Sequence, residues 1–248
     1  LETNSIEGLA EKIVSKFSKE RKFPRKVFIT RDISENSYFR RALEGHKIEI
    51  DGRSLIRTFP IINKLDPYIL KHIDWIFFSS KNAIEYFFKL NPVISKKTRF
   101  GVLGRASEDV LRSFGRAPDF NGEEEGIDTA DIAKEFALIA NGHTVLFPGA
   151  KDSLRTIQKA LSAETKIIDL PVYETIMEDD IEPSYADVLI FTSPSNVEAY
   201  FRNHLVEPEQ KIICIGRSTG RKFDEMGMKY ALPYSPDEIG LAEAVFGL

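Results

Sequence analysis

An internal repeat constrains this chain more than any other feature. Residues 74–88 (DWIFFSSKNAIEYFF) return as residues 187–201 (DVLIFTSPSNVEAYF). The likeness continues downstream. Residues 100–107 (FGVLGRAS) match residues 212–219 (IICIGRST), and Gly115 matches Gly227. A weaker third pair sets residues 27–31 against residues 145–149. In each copy an acidic residue opens an apolar run of strand length, a polar turn follows, and a helical pattern comes next. A chain that writes this unit twice is expected to fold as two lobes of one architecture, with a ligand held between them.

The rest of the chain keeps the same rhythm. Strands are expected near 27–30, 46–50, 75–78, 99–103, 144–147, 165–170, 188–191 and 211–215. Amphipathic helices are expected near 37–44, 82–90, 106–114, 128–140, 153–161, 196–204, 218–226 and 237–246. Alternation of this kind predicts an α/β fold with parallel sheets flanked by helices. Gly115 and Gly227 read as glycines that end helices. Two stretches break the pattern: residues 54–62 and 168–176 are strand-like but contain proline, which disfavours a central strand. They read as paired crossings between the lobes. That gives a continuous domain at 61–169, a discontinuous one made of 24–54 and 177–248, and linker strands at 55–60 and 170–176. Residues 1–23 carry apolar positions at Ile6, Leu9, Ile13, Val14 and Phe17, which predicts a helical extension.

Composition removes whole classes of function. The longest apolar runs are strand-length, well short of the roughly 18 residues of a membrane span. The net charge of −4 argues against a general nucleic-acid binder, which carries a basic footprint. The lone cysteine, Cys214, excludes a disulfide framework and is expected to be a buried structural thiol. The histidines at 46, 72, 143 and 204 show no metal-ligand spacing. Residues 1–23 contain several acids and no apolar signal core, so a cytoplasmic address is expected.

Candidate chemistry lies in the turns. In open parallel sheets, ligands bind at the carboxyl ends of the strands. Here those ends read Thr30-Arg31, Ser79-Ser80, Gly104 to Ser107, Gly149, Thr192 to Ser195 and Gly216 to Thr219. Several lead straight into helices, whose first N–H groups and positive dipole end bind carboxylate or phosphate. Serine and threonine before a helix also serve as ordinary caps, so each single turn has two readings. Asp74 and Asp187 precede their strands and stand at the wrong end for paired-carboxylate chemistry. The chain thus offers many donors and few acids or bases.

Taken in order and spacing, five segments resemble the uroporphyrinogen-III synthase family over roughly 24–248: Ile29-Thr30-Arg31, residues 74–83, residues 170–175 (LPVYET), residues 191–195 (FTSPS) and residues 215–219 (IGRST). The resemblance implies two α/β lobes joined by a two-stranded linker. It also implies a cofactor-free, metal-free lyase that closes hydroxymethylbilane, an open-chain tetrapyrrole polycarboxylate, with inversion of ring D. Matched residue by residue, it implies Tyr173 as a general acid for the departing hydroxyl, or alternatively as a packing tyrosine. Ser193, Ser195, Ser218 and Thr219 would hold substrate carboxylates in the discontinuous lobe. Ser80, Asn82, Gly104, Ser107 and Gly149 would do so in the continuous one. Arg31 would pair with a carboxylate or form a structural ion pair. A monomer with no nucleic-acid or membrane partner is expected. Arg217 and Gly220 depart from the small residue and the alanine common in the family. A non-catalytic two-lobed binder of a small anion and a flavodoxin-like module are the competing readings.

Overall fold

The computed structural model describes residues 23–62, 66–122 and 129–248. The helical extension expected over residues 1–23 lies outside them but for Phe23. In chain order the first elements are β1 (Lys26–Ile29), α1 (Tyr38–Gly45), β2 (Glu49–Gly52), β3 (Ile56–Pro60), α2 (Pro67–Lys71), β4 (Trp75–Phe78) and α3 (Lys81–Lys89). Then come β5 (Arg99–Val102), α4 (Arg105–Ser113), β6 (Phe120–Asn121), α5 (Thr129–Ala140), β7 (Thr144–Ala150), α6 (Thr156–Ala160) and β8 (Lys166–Met177). The last are β9 (Val188–Phe191), α7 (Pro194–Phe201), β10 (Lys211–Cys214), α8 (Arg217–Glu225) and α9 (Glu238–Phe246).

The chain divides into two compact units, one of residues up to Leu55 together with Glu178–Leu248, the other Ile56–Met177. The first holds a four-stranded sheet in the order β10-β9-β1-β2, parallel throughout. The second holds six strands in the order β3-β8-β7-β4-β5-β6, parallel except for the antiparallel pair β3–β8.

Period-two geometry explains why the repeated strands are apolar at every position: both faces of a parallel sheet are covered by helices. Along β4, Trp75 and Phe77 enter one core with Phe136, Val145 and Phe147. Ile76 and Phe78 enter the other with Ile84, Phe87, Val102 and Leu146. Along β9, Val188 and Ile190 pack with Leu43, Leu241 and Val245. Phe191, on the opposite face, meets the rings of Tyr200 and Phe223.

The acids that open the repeat have a structural use. The Asp187 carboxylate accepts from the backbone N–H groups of Arg25 (2.7 Å) and Lys26 (3.0 Å), where β1 begins. The Asp74 carboxylate accepts from Thr144 N–H (2.7 Å), where β7 begins. Each acid thus sets the start of the neighbouring parallel strand, which accounts for its position at the strand's amino end.

Several boundaries differ from expectation for local reasons. The strand expected from residue 46 starts at Glu49, because His46 caps α1 and Lys47 turns through a left-handed φ of 59°. The helix expected over 153–161 is reduced to Thr156–Ala160, since Arg155 is left-handed at φ 57°. The strand expected over 165–170 and the linker strand expected over 170–176 form one strand, β8. Pro171 is accommodated beside a register shift at Gly149/Ala150, on a part of β8 that precedes its pairing with β3. The short elements α2 and β6 had no expectation. Gly115 and Gly227 do end their helices, with φ of 71° and 67°.

Cys214 is fully buried in β10. Burial, with Asp224 adding to it, pushes the thiol up to about 12 from 9.0. The protonated form is therefore favoured in the folded state. Its stabilisation is complete below the unfolded-state value and is lost as pH rises from 9.0 towards about 12. Urea midpoints should fall across that interval, and Cys214→Ala should flatten the fall. A thiol reagent at about pH 8 should react only after unfolding; rapid reaction of the native protein would contradict the burial.

Candidate functional site

In the second unit the carboxyl ends of β8, β7, β4 and β5 are neighbours in the sheet. Ser80 caps α3, its Oγ accepting from Ala83 N–H at 3.2 Å. The same Oγ lies 3.2 Å from the Tyr173 hydroxyl, contributed by β8. Gly104 caps α4 with no side-chain bond. Gly149 pairs with Pro171, and Ala150 with Tyr173, across the register shift. A Cβ added at Gly104 or Gly149 would meet nothing within 4 Å, so the backbone is open to a ligand there.

Tyr173 is buried to 8% exposure and belongs to the apolar core of its unit. Its ring stacks on Tyr86, with centroids 5.3 Å apart and planes at 22°. The Tyr86 hydroxyl donates to the Thr58 carbonyl on β3 at 2.9 Å. Burial is the main cause that raises the Tyr173 phenol above the ordinary tyrosine value, and the Ser80 hydrogen bond opposes it. The phenol therefore keeps its proton through the neutral range. Beside these strand ends is a cavity of about 230 Å³, lined by Ser79, Gly149, Lys151 and Arg155 among others. Arg155 is paired there with Asp169 at 2.6 Å.

In the first unit, Ser193 caps α7 as Ser80 caps α3, accepting from Asn196 N–H at 3.2 Å and from Asn196 Nδ2 at 2.9 Å. Gly216 caps α8 without a side-chain bond, as Gly104 caps α4. Arg31 follows β1 and stands 3.6 Å from the Glu238 carboxylate. Its Nη2 is buried with no hydrogen-bond partner among the described residues. Burial lowers its pKa, and Glu238 works against that shift.

By helix geometry the first-turn N–H groups of Lys81, Asn82, Arg105, Ala106, Ser195, Arg217 and Ser218 have no acceptor inside their helices. Asn82 and Ser195 are partly buried, and Ser218 is exposed. Ser107 and Thr219 differ: they occupy matching positions of the repeat and are 6% and 1% exposed. Their N–H groups are already bonded to the carbonyls of Gly104 (3.0 Å) and Gly216 (3.1 Å).

Sequence reasoning did not single out Tyr86 or Thr58. A signal existed for Tyr86, because its counterpart in the repeat is Ala199, a break in an otherwise close match. Nor did it give weight to the pair Thr30 and Thr192. Thr192 N–H donates to Thr30 Oγ1 at 2.9 Å, and Thr192 Oγ1 donates to the Thr30 carbonyl at 2.8 Å, tying the ends of β1 and β9 together. At Gly220, where the resemblance leads to an expectation of alanine, a Cβ would lie 2.5 Å from the Tyr230 ring, so alanine there would need that ring to shift. Among the described residues no group of His, Cys, Asp and Glu side chains is placed to hold a metal ion. No helix among them is long and apolar enough to cross a membrane.

These features define an α/β protein built on parallel sheets, whose helix-capping turns gather at the carboxyl ends of the strands. The model of one family, described as uroporphyrinogen-III synthase HemD, matches residues 37–243, and the chain belongs to that family. The family places it among the cyclising lyases of haem biosynthesis. Among solved structures, the chain is similar to uroporphyrinogen-III synthetase from Helicobacter pylori, with TM-score 0.65 and 16% identity over 90% of this chain and 99% of that one. It is also similar to a mutant uroporphyrinogen III synthase from Thermus thermophilus, with TM-score 0.61 and 13% identity over 90% of this chain and 97% of the other. At such identities these likenesses concern the fold. No curated protein sequence matches.

The threonine tie gives a direct test. Thr30 is fully buried, so Thr30→Val keeps the shape but leaves the Thr192 N–H without its acceptor. A loss of about 1–3 kcal/mol is expected from urea denaturation. No measurable loss would contradict the tie as a stabilising contact.

Proposed function

We propose that the chain closes hydroxymethylbilane to uroporphyrinogen III with inversion of ring D, and that Tyr173 is the acid that releases the terminal hydroxyl. The observation that carries this assignment is the Tyr173 phenol, kept protonated by burial and held 3.2 Å from the capping hydroxyl of Ser80. The departing hydroxyl takes the phenol's proton and leaves as water, giving an azafulvenium cation. The substituted carbon of ring D attacks to form a spiro intermediate, which fragments and recloses with the ring turned over. The ring-closing carbon of ring D surrenders a proton in place of the one the phenol gave, so the balance is loss of one water. While Tyr173 is ionised, the Ser80 O–H and the amino end of α3 face its negative charge.

The substrate's acetate and propionate groups need donors, and the strand-end turns supply them. In the second unit we assign this role to Ser80, Asn82, Gly104 and Gly149. In the first we assign it to Ser193, Ser195, Ser218 and Arg31, whose buried Nη2 is ion-paired with Glu238 at 3.6 Å but makes no hydrogen bond. Ser107 and Thr219 belong to the same turns, where their burial favours a supporting part beneath the donors. Residues 61–169 form one domain of this enzyme and 24–54 with 177–248 the other, with 55–60 and 170–176 as connecting strands. The antiparallel register Pro60↔Tyr173 through Ile56↔Met177 supports that connection. We further propose that the enzyme is a cytoplasmic monomer that acts without cofactor, metal or nucleic acid.

Tyr173→Phe removes the proton and keeps the ring. It should lower kcat for the type III product by about 10²-fold or more, with little change in KM or in folding. Because the phenol's pKa is raised, the wild-type alkaline limb due to this group should lie above the ordinary tyrosine value of 10.0. Unchanged kcat in Tyr173→Phe would remove the acid role.

A further inference from the structure

We propose that Tyr86 is a positioning residue for the reaction, acting through Tyr173; the inference rests on the acid role assigned to Tyr173 above. A phenol fixed at its oxygen alone can still swing about its own χ angles, and its proton is useful only in a narrow range of directions. Within the core packing of its unit, two contacts bear directly on the direction of the Tyr173 phenol. Ser80 meets its oxygen at 3.2 Å, and Tyr86 lies along its face at 5.3 Å with planes only 22° apart. Tyr86 is itself fixed. Its hydroxyl donates to the Thr58 carbonyl at 2.9 Å and lies 2.9 Å from Thr58 Oγ1. Thr58 belongs to β3, which pairs with β8, the strand that carries Tyr173. The arrangement is a closed circuit: β8 carries the acid, β3 anchors the neighbouring ring, and α3 supplies both that ring and the capping serine.

The internal repeat argues that Tyr86 is not there for the fold. The matching helix of the other unit, α7, has Ala199 at this position and packs normally, with Ala199 1% exposed. Neighbouring core positions do correspond: Phe87 and Tyr200 are both fully buried. The matching cap, Ser193, has Asn196 bonded to its oxygen, where Ser80 has Tyr173. A large ring appears on the helix in the unit whose capping serine holds a phenol and is absent in the other. Stacking also withdraws Tyr173 from water, consistent with the proton-holding state its role requires.

The test is a double-mutant cycle on the full chain. Tyr86→Leu removes the stack and the anchor; Tyr86→Phe keeps the stack and removes only the anchor, and it provides a folded variant if the leucine is disruptive. Tyr86→Leu should lower kcat for the type III isomer about tenfold with KM unchanged. Tyr86→Phe should give a smaller loss in the same parameter. In a Tyr173→Phe background neither change should lower kcat further. Ultraviolet titration of the phenols should also show Tyr173 ionising at lower pH in Tyr86→Leu than in the wild type. Losses that persist in the Tyr173→Phe background, or that fall on KM, would overturn the positioning role while leaving the acid intact. An unimpaired Tyr173→Phe enzyme would instead overturn the acid role, and the positioning role with it.

Discussion

In a parallel sheet every strand leaves at the same edge, and the chain must cross back before it can pair again. Where the crossing is helical, the helix starts at that edge. The carboxyl end of such a sheet therefore collects helix amino termini, each with unpaired N–H groups and a positive dipole end. The rest of this molecule depends on that constraint. It places the caps Ser80, Gly104, Ser193 and Gly216 at strand ends, and it makes a set of anion donors without requiring charged side chains. A substrate with many carboxylates suits such donors, and a protein of net charge −4 can bind it without a basic surface.

The two copies of the repeated unit share their scaffolding and differ in what is mounted on it. Asp74 and Asp187 both bond the backbone at the start of a neighbouring strand. Ser80 and Ser193 both cap the next helix. The second unit then adds a stacked pair of tyrosines, one touching the capping serine. The first unit has Ala199 where the second has Tyr86, and at the ends of β1 and β9 it has a part-buried tie between Thr30 and Thr192, with Arg31 beside it in sequence. Shared parts hold strand ends in register. Unshared parts are where proton transfer and charge pairing can be assigned.

The division between what the sequence made legible and what it hid follows the same line. Repeated strands and helices were legible, because burial on both faces and helix capping leave marks at every position of β4, α3, β9 and α7. Boundaries set by a single residue were not. Left-handed Lys47 and Arg155 each displaced an expected element, since lysine and arginine carry no local signal for a positive φ. The fusion of the strand expected at 165–170 with the linker strand expected at 170–176 into one β8 was hidden, because Pro171 is accommodated there through pairing with β7 beside a register shift, both non-local. At the candidate site, the turns and Tyr173 could be named from sequence. The Tyr86–Thr58 anchor joins residues far apart in the chain, and it showed only as a mismatch between the copies. That Ser107 and Thr219 turn inward is a matter of helix phase, which a turn motif does not reveal.

Under the proposed function, this chain governs which carbon of ring D closes the macrocycle. The most direct measurement supplies freshly made hydroxymethylbilane to the purified protein and separates the product isomers by chromatography. Predominantly the type III isomer is expected, formed faster than the bilane closes unaided. Type I product alone, at the uncatalysed rate and from demonstrably folded protein, would contradict it and leave a protein that only binds a small anion.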